Sequence, residues 1–254
     1  MRIDKFIGTR LDCARPDIIP GPLGGVMRHL VAVVAACLLL AACTTTNTKL
    51  AVNSTKPPPG ARIVLVDPDI ELAVLTAAGL QEPRADWTAQ GHANVAAEIE
   101  RQMKARAHTY RLLDPNDAMA GRTGQLLRLH EAVGQSIMMF NYGYVNLPTK
   151  KGSFDWTLGE GAQALGTAYD ADYALFVYGR GNYASGARVA TAVGLAMLGV
   201  GVPIGGQQCF ASLVDLKTGR VVWFNVASTG PNSDMRKADG AAALVEAVLK
   251  DAPL

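Results

Sequence analysis

The residues with most chemical promise are Gly179-Arg180-Gly181-Asn182-Tyr183-Ala184, which follow the apolar run Tyr173 to Tyr178. They match the permissive G-x-G-x-x-G/A spacing that lays a pyrophosphate on backbone amides. That chemistry also needs a βαβ unit with an acidic residue about 20 positions further on. Here the corresponding region holds Gly199 to Gly205, so the glycines are read as a turn and no cofactor is expected. A phosphate loop fails as well, because Gly186 is followed by Ala187. His92, His108 and His130 lack His-x-x-x-His spacing, and no Cys-x-x-Cys pair or Cys/His cluster suggests a metal. Ser185 and Ser212 lack a nucleophile-elbow context. Asp155, Glu160, Asp170 and Asp172 are read as capping and turn residues. The pairing of carboxylates for glycoside hydrolysis is spatial and stays open in a sequence. No enzyme is expected, and no catalytic residue is assigned.

The chemistry that remains belongs to a thiol. Met27-Arg28-His29 is followed by Leu30 to Leu40, almost unbroken in its apolarity, and then by Ala41-Ala42-Cys43. A short basic head, an apolar stretch and small residues before a cut describe a secretory signal. The run is shorter than the ~20 residues of a spanning helix. Leu40-Ala41-Ala42-Cys43 resembles the lipobox of bacterial lipoproteins, in which the Cys thiol is diacylated, signal peptidase cuts before it, and the new amino terminus is acylated in turn. The resemblance implies a signal peptide over 27–42, Sec-type export and a palmitate-class anchor on Cys43. Val34-Ala35-Ala36-Cys37 fits the same pattern loosely, but a cut there would strand Leu38-Leu39-Leu40 in the mature chain. Thr44, where inner-membrane retention favours Asp, resembles the class sorted to the periplasmic face of the outer membrane. Residues 1–26, with Pro16, Pro20, Pro22 and mixed charge, are read as an extension upstream of a start at Met27.

Processing at Cys43 changes the charge balance. The chain has 24 Lys+Arg and 22 Asp+Glu; residues 1–42 hold five and three of these, leaving 19 of each. A neutral mature chain offers no basic field for a phosphate backbone, so nucleic acid is set aside. Of the four cysteines Cys209 would be alone, which excludes an intramolecular disulfide.

These features must be carried by a folded part. Residues 43–60, rich in Thr and ending Pro57-Pro58-Pro59-Gly60, read as a disordered tether after the lipidated Cys. Residues 61–254 read as a single α/β periplasmic domain. Strands are expected at Arg62 to Val66, Ile70 to Leu75, Tyr110 to Leu113, Tyr173 to Tyr178, and in a hairpin of Gln208 to Leu216 and Arg220 to Ala227 turning at Lys217-Thr218-Gly219. Helices are expected after an Asp86 cap, over Gln125 to Phe140, after a Thr157-x-x-Glu160 capping box, and at the carboxy terminus after Asn232 or Ser233. The fold class is α/β: a mixed central sheet of about five strands flanked by helices, ending in a β-hairpin and a final helix.

Ala171-Asp172-Tyr173-Ala174-Leu175-Phe176 and then Ser212-Leu213-Val214-Asp215-Leu216-Lys217-Thr218-Gly219-Arg220-Val221-Val222-Trp223 resemble a pattern in curli-secretion (CsgG-like) and related envelope lipoproteins. The resemblance covers about sixty residues and implies an assembly or interaction module. Curli-secretion proteins proper insert long hairpins to form a pore; no such hairpins are matched here. The most unusual segment is Val189 to Ile204, apolar, glycine-rich and uncharged. It is either a small helix packed on the sheet or an exposed surface for a partner, for self-assembly or for the membrane, with Val189, Leu195, Met197, Leu198, Val200, Val202 and Ile204 as its candidate contacts. The expected function is a membrane-anchored, non-catalytic envelope module that meets an envelope protein or itself; the alternatives are a periplasmic ligand-binding protein or enzyme, and an oligomeric secretion-pore component.

Overall fold

The structure is a computed structural model that describes residues 45–51, 56–106, 109–114, 116, 121–143, 145, 147–229 and 233–254. Its frame is one mixed sheet of eight strands. The central strand, β6 (Tyr173–Ala184), pairs along its full length with antiparallel β7 (Gly205–Asp215), which pairs in turn with antiparallel β8 (Val221–Thr229). Along the other side of β6 run two parallel strands end to end: β2 (Ile63–Val66), from Ile63 opposite Tyr173, and β3 (Asp69–Leu75), from Asp69 opposite Tyr178 to Leu75 opposite Ala184. Asp67-Pro68 separates them, because proline has no N–H to give the ladder. Parallel β5 (Tyr110–Leu113) borders β2, and short β4 (Gln81–Pro83) folds back on β3.

Side chains alternate across β6 to β8 and feed two cores. On one face Leu175, Val177, Cys209, Leu213 and Trp223 pack under α1 (Ala85–Ala105) and α5 (Ala238–Val248), which contribute Val95, Ile99, Met103, Leu244 and Val245. On the other face Phe176, Phe210, Phe224 and Val226 pack under α2 (Gly121–Ile137), the π turn Met138–Tyr142 and α3 (Gln163–Tyr169). The four residues of β2 are all buried, as the helix-covered interior of a parallel sheet requires. The hairpin turn forms where expected: Gly219 sits at φ +73, and the Asp215 carboxylate accepts hydrogen bonds from the Lys217 N–H at 2.8 Å and the Thr218 hydroxyl at 2.8 Å.

The class is thus the expected α/β arrangement, with more strands than the five anticipated. One extra strand lies in the supposed tether. Thr45–Leu50 is β1, antiparallel to β8 from Thr45 opposite Ser228 to Leu50 opposite Trp223. A threonine-rich segment buries little by itself, but β-branched residues pair readily with an edge that is already formed. Local expectations changed too. The cap of α1 is Arg84, not Asp86; Asp86 lies in the first turn and accepts from the Arg84 guanidinium at 2.9 and 2.7 Å. Thr157 makes no capping box: its hydroxyl accepts from Gly159 N–H at 2.9 Å and donates to the Gly219 carbonyl at 3.1 Å, tying that loop to the hairpin. The last helix is preceded by Lys237 rather than Asn232 or Ser233.

Candidate functional site

Helix α4 (Gly186–Ala196) leaves β6 after a single residue, Ser185, whose hydroxyl accepts from Arg188 N–H at 3.1 Å and caps it. The chain returns to β7 through residues 197–204, and Gly205 pairs at once with Tyr183. This excursion is an insertion in a hairpin, and none of the residues of α4 is buried. Met197 and Leu198, 81% and 78% exposed, form its tip, with Gly199 at φ +78 turning the chain. Val189, Val193, Val200 and Ile204 are exposed beside them, and Leu195 and Val202 are half-buried. The Arg188 guanidinium holds the excursion in place, donating from Nε to the Pro203 carbonyl at 3.1 Å and from Nη1 to the Ala77 carbonyl at 3.3 Å.

The Ala77 contact leads to the adjacent β3–β4 turn, where Leu80 is 65% exposed. Leu80 and Val193 belong to the same apolar end although the sequence did not single them out; a leucine inside the turn Ala78-Gly79-Leu80-Gln81 is the signal that could have found the first. The remaining exposed large apolar residues, Leu50, Leu112, Leu129, Met139 and Val145, lie on other elements. The candidate contact residues therefore do converge, and they do so at the end of the sheet where β3 and β6 finish and β7 starts. The row Arg180, Gln208, Ser228, Thr45 crosses four paired strands near that end, so β1 also starts there. Cys43 and its neighbours Leu40, Ala41 and Ala42 lie outside the described residues. No helix among the described residues is long and apolar enough to cross a membrane.

Other groups with chemical potential are spent inside the fold. Ser212 and His130, unrelated in spacing, meet across the sheet with Oγ and Nε2 2.6 Å apart. His130 is buried and stacked on Phe176 at 3.7 Å between centroids, and burial pushes its pKa down to about 3, so the ring is neutral. Ser212 is fully buried and can meet no substrate. Cys209 is buried on the opposite face, where burial pushes the thiol up to about 12 and makes it inert. His92 lies 2.8 Å from the Asp67 carboxylate on a half-exposed surface. No group of three or more His, Cys, Asp or Glu among the described residues could hold a metal.

The glycine-rich pattern is strand, not turn: Gly179 to Ala184 is the second half of β6. A Cβ at Gly179 or Gly181 would run into Ile70 or Leu72, so these glycines let β3 and its core pack closely. Beside them the sheet forms an open cleft of about 970 Å³ that includes Arg84, Thr88, Arg180, Asn182, Gln207 and Thr229. Arg180 lies over the Tyr178 ring at 3.7 Å and pairs with Asp69 and Glu71, each at 3.1 Å. Deeper, the Tyr183 hydroxyl donates to Gln207 Oε1 at 2.6 Å, and Gln207 Nε2 donates to Thr229 Oγ1 at 2.8 Å. The Arg236 guanidinium lies against the Tyr183 and Trp87 rings, 3.9 and 4.2 Å from their centres, and donates to both oxygens of Asp234. Burial would raise the Asp234 carboxyl, but the Arg236 bonds prevail and hold it below the usual carboxylate range. This network was not legible in the sequence, since its members come from β6, β7, β8, α1 and the segment before α5.

No protein-family model and no curated protein matches the chain. Among solved structures, it is similar to the PelC dodecamer from Paraburkholderia phytofirmans in space group P6, at 14% identity, covering 82% of this chain and 95% of that one with a TM-score of 0.36. A single-substitution variant of that dodecamer in space group C2 gives 14% identity, 82% and 96% coverage, and a TM-score of 0.35. At these scores neither likeness bears on what this chain does.

Proposed function

We propose that this protein is an envelope lipoprotein, held by acyl chains on Cys43 to the periplasmic face of the outer membrane, whose domain works as a non-catalytic interaction or assembly module. The observation that carries the reading is the convergence at one end of the domain: β1 starts there, two residues after Cys43, and an exposed excursion that is apolar and uncharged over residues 189–204 lies at the same end. Such a patch on a solvated domain marks a surface that meets something. His130, Cys209, His92, Arg180 and Asp234 are paired or buried neutral, which fits a scaffold. Metabolic labelling with a fatty-acid analogue tests the anchor: the mature chain takes up label and Cys43→Ser does not. Cross-linking in cells tests the module. Replacing residues 185–204 by a two-residue turn joining Ala184 to Gly205 should leave a folded domain that has lost its cross-linked products; a deletant that unfolds would instead give the excursion a core role.

A second reading, a periplasmic ligand-binding protein, is favoured by the open cleft that Arg180, Asn182 and Gln208 help to line. Saturable binding of a small polar solute that is lost in Asn182→Leu would support it over the first.

A further inference from the structure

We infer that the α4 excursion lies in the lipid interface of the same bilayer that holds the anchor, so that the domain is fixed to the membrane at two points and therefore in one orientation. The inference rests on the acylation of Cys43 and goes beyond it, because an anchor alone leaves the domain free to tumble.

The distances make the case. Had residues 43–60 been a coil, the domain would stand off the membrane by roughly 20 Å. Instead β1 takes up the chain from Thr45. Only Thr44 separates Cys43 from Thr45, and two residues reach no more than about 7 Å. The start of β1 is therefore held at the bilayer. From β1 to β6 is three strand spacings, about 14 Å across the sheet. From Arg180, in the row of Thr45, to Ala184, where β6 ends and the excursion begins, is four residues, about 13 Å along the strand. A point at that distance on the same sheet end lies within reach of the surface that holds Thr45.

The chemistry suits a lipid boundary. Residues 189–204 carry no charge, and the one cation of α4, Arg188, is turned back onto the backbone of its own domain. Interfacial helices bury their apolar side about 5–10 Å into the boundary between headgroups and acyl chains. Met197 and Leu198 are the most exposed apolar residues described and stand at the tip where insertion would begin. The β3–β4 turn, whose Ala77 carbonyl accepts from Arg188, adds the exposed Leu80. A soluble acidic or basic partner would find no complementary charge here.

The test uses the full chain, processed and acylated in cells, purified in detergent and reconstituted into phosphatidylethanolamine/phosphatidylglycerol vesicles. Leu198→Cys and, as a control on α2, Leu129→Cys each receive an environment-sensitive fluorophore; Cys209 is buried and stays unlabelled. The expected result is a blue shift and loss of most emission at position 198 with acyl-chain nitroxide lipids, and no change at 129. Co-flotation with vesicles without quenching at 198 overturns the inference and leaves the anchored reading standing. Shielding of 198 from aqueous iodide without lipid quenching, in a species of doubled mass, overturns it in favour of a second copy of the chain. Failure to float at all removes the anchor, and the inference falls with it.

Discussion

Helices α4 and α5 are each eleven residues long and rich in Ala and Val, GARVATAVGLA against ADGAAALVEAV, yet they meet opposite fates. Helix α5 buries Gly240, Ala241, Leu244, Val245 and Val248 against the sheet, and its last turn accepts hydrogen bonds from Asn225 Nδ2 at the Ala247 and Val248 carbonyls, 3.0 and 2.8 Å away. No residue of α4 is buried. The connections account for the difference. Residues 230–237 separate β8 from α5, enough chain to turn back across the sheet face. Helix α4 follows β6 after one residue and must deliver the chain to β7, the antiparallel neighbour of β6, so it is confined to the sheet end. Apolar content tells which segments seek cover; the length and destination of the connections decide whether the domain itself provides it.

The contrast can be broken most directly in the core of α5. Leu244→Ala should cost about 2–5 kcal/mol in denaturant unfolding, whereas Leu198→Ala should stay within about 0.5 kcal/mol. Equal effects would mean that the excursion packs as α5 does. Burial also sets the charge state of His130. His130 has a native pKa near 3 against about 6.5 unfolded, so the unfolded state binds the extra proton between these values. Stability should fall as pH drops through that window, by about 3 kcal/mol between pH 7 and 4 from this group alone. The acid limb should shrink by a similar amount in His130→Gln; an unchanged limb would assign it to carboxylates such as Asp172, which Arg62 holds below its ordinary range.

Glycines sharpen the comparison further. A Cβ at Gly240 in α5 would strike the Asp234 carbonyl, so Gly240→Ala should destabilise by about 1–3 kcal/mol. A Cβ at Gly194 in α4 meets nothing within 4 Å, so Gly194→Ala should stabilise by up to about 1 kcal/mol through helix propensity. Thermal melts of the two variants should therefore move in opposite directions. A melt of Gly194→Ala that falls instead would reveal a close contact on α4, and with it an occupant.

Much of the frame was visible beforehand because it is local. The β-branched run of β2, the apolar stripe of α1 at Val95, Ile99 and Met103, and the Asp215–Gly219 hairpin each depend on residues a few positions apart. The misses share a cause in pairing at a distance. Thr45 to Leu50 has little reason to be extended except that the β8 edge lies beside it. Gly179 to Ala184 reads as a turn until β3 and β7 flank it and require its small residues. The apolar excursion was legible as an unusual segment, but which of its two readings holds was not, nor was the bond from Arg188 to the Ala77 carbonyl that ties it to the β3–β4 turn.

The sequence alone determined the α/β class, the hairpin, and the existence of an uncharged apolar stretch between two strands, because periodicity and turn chemistry are properties of neighbours in the chain. The tertiary structure decided that the stretch stays uncovered, that residues 45–50 of the supposed tether form an edge strand, and that both come to one end of the sheet. Strand register decided this: it joins segments far apart in sequence, and pairing one edge determines which end of every other strand lies beside it.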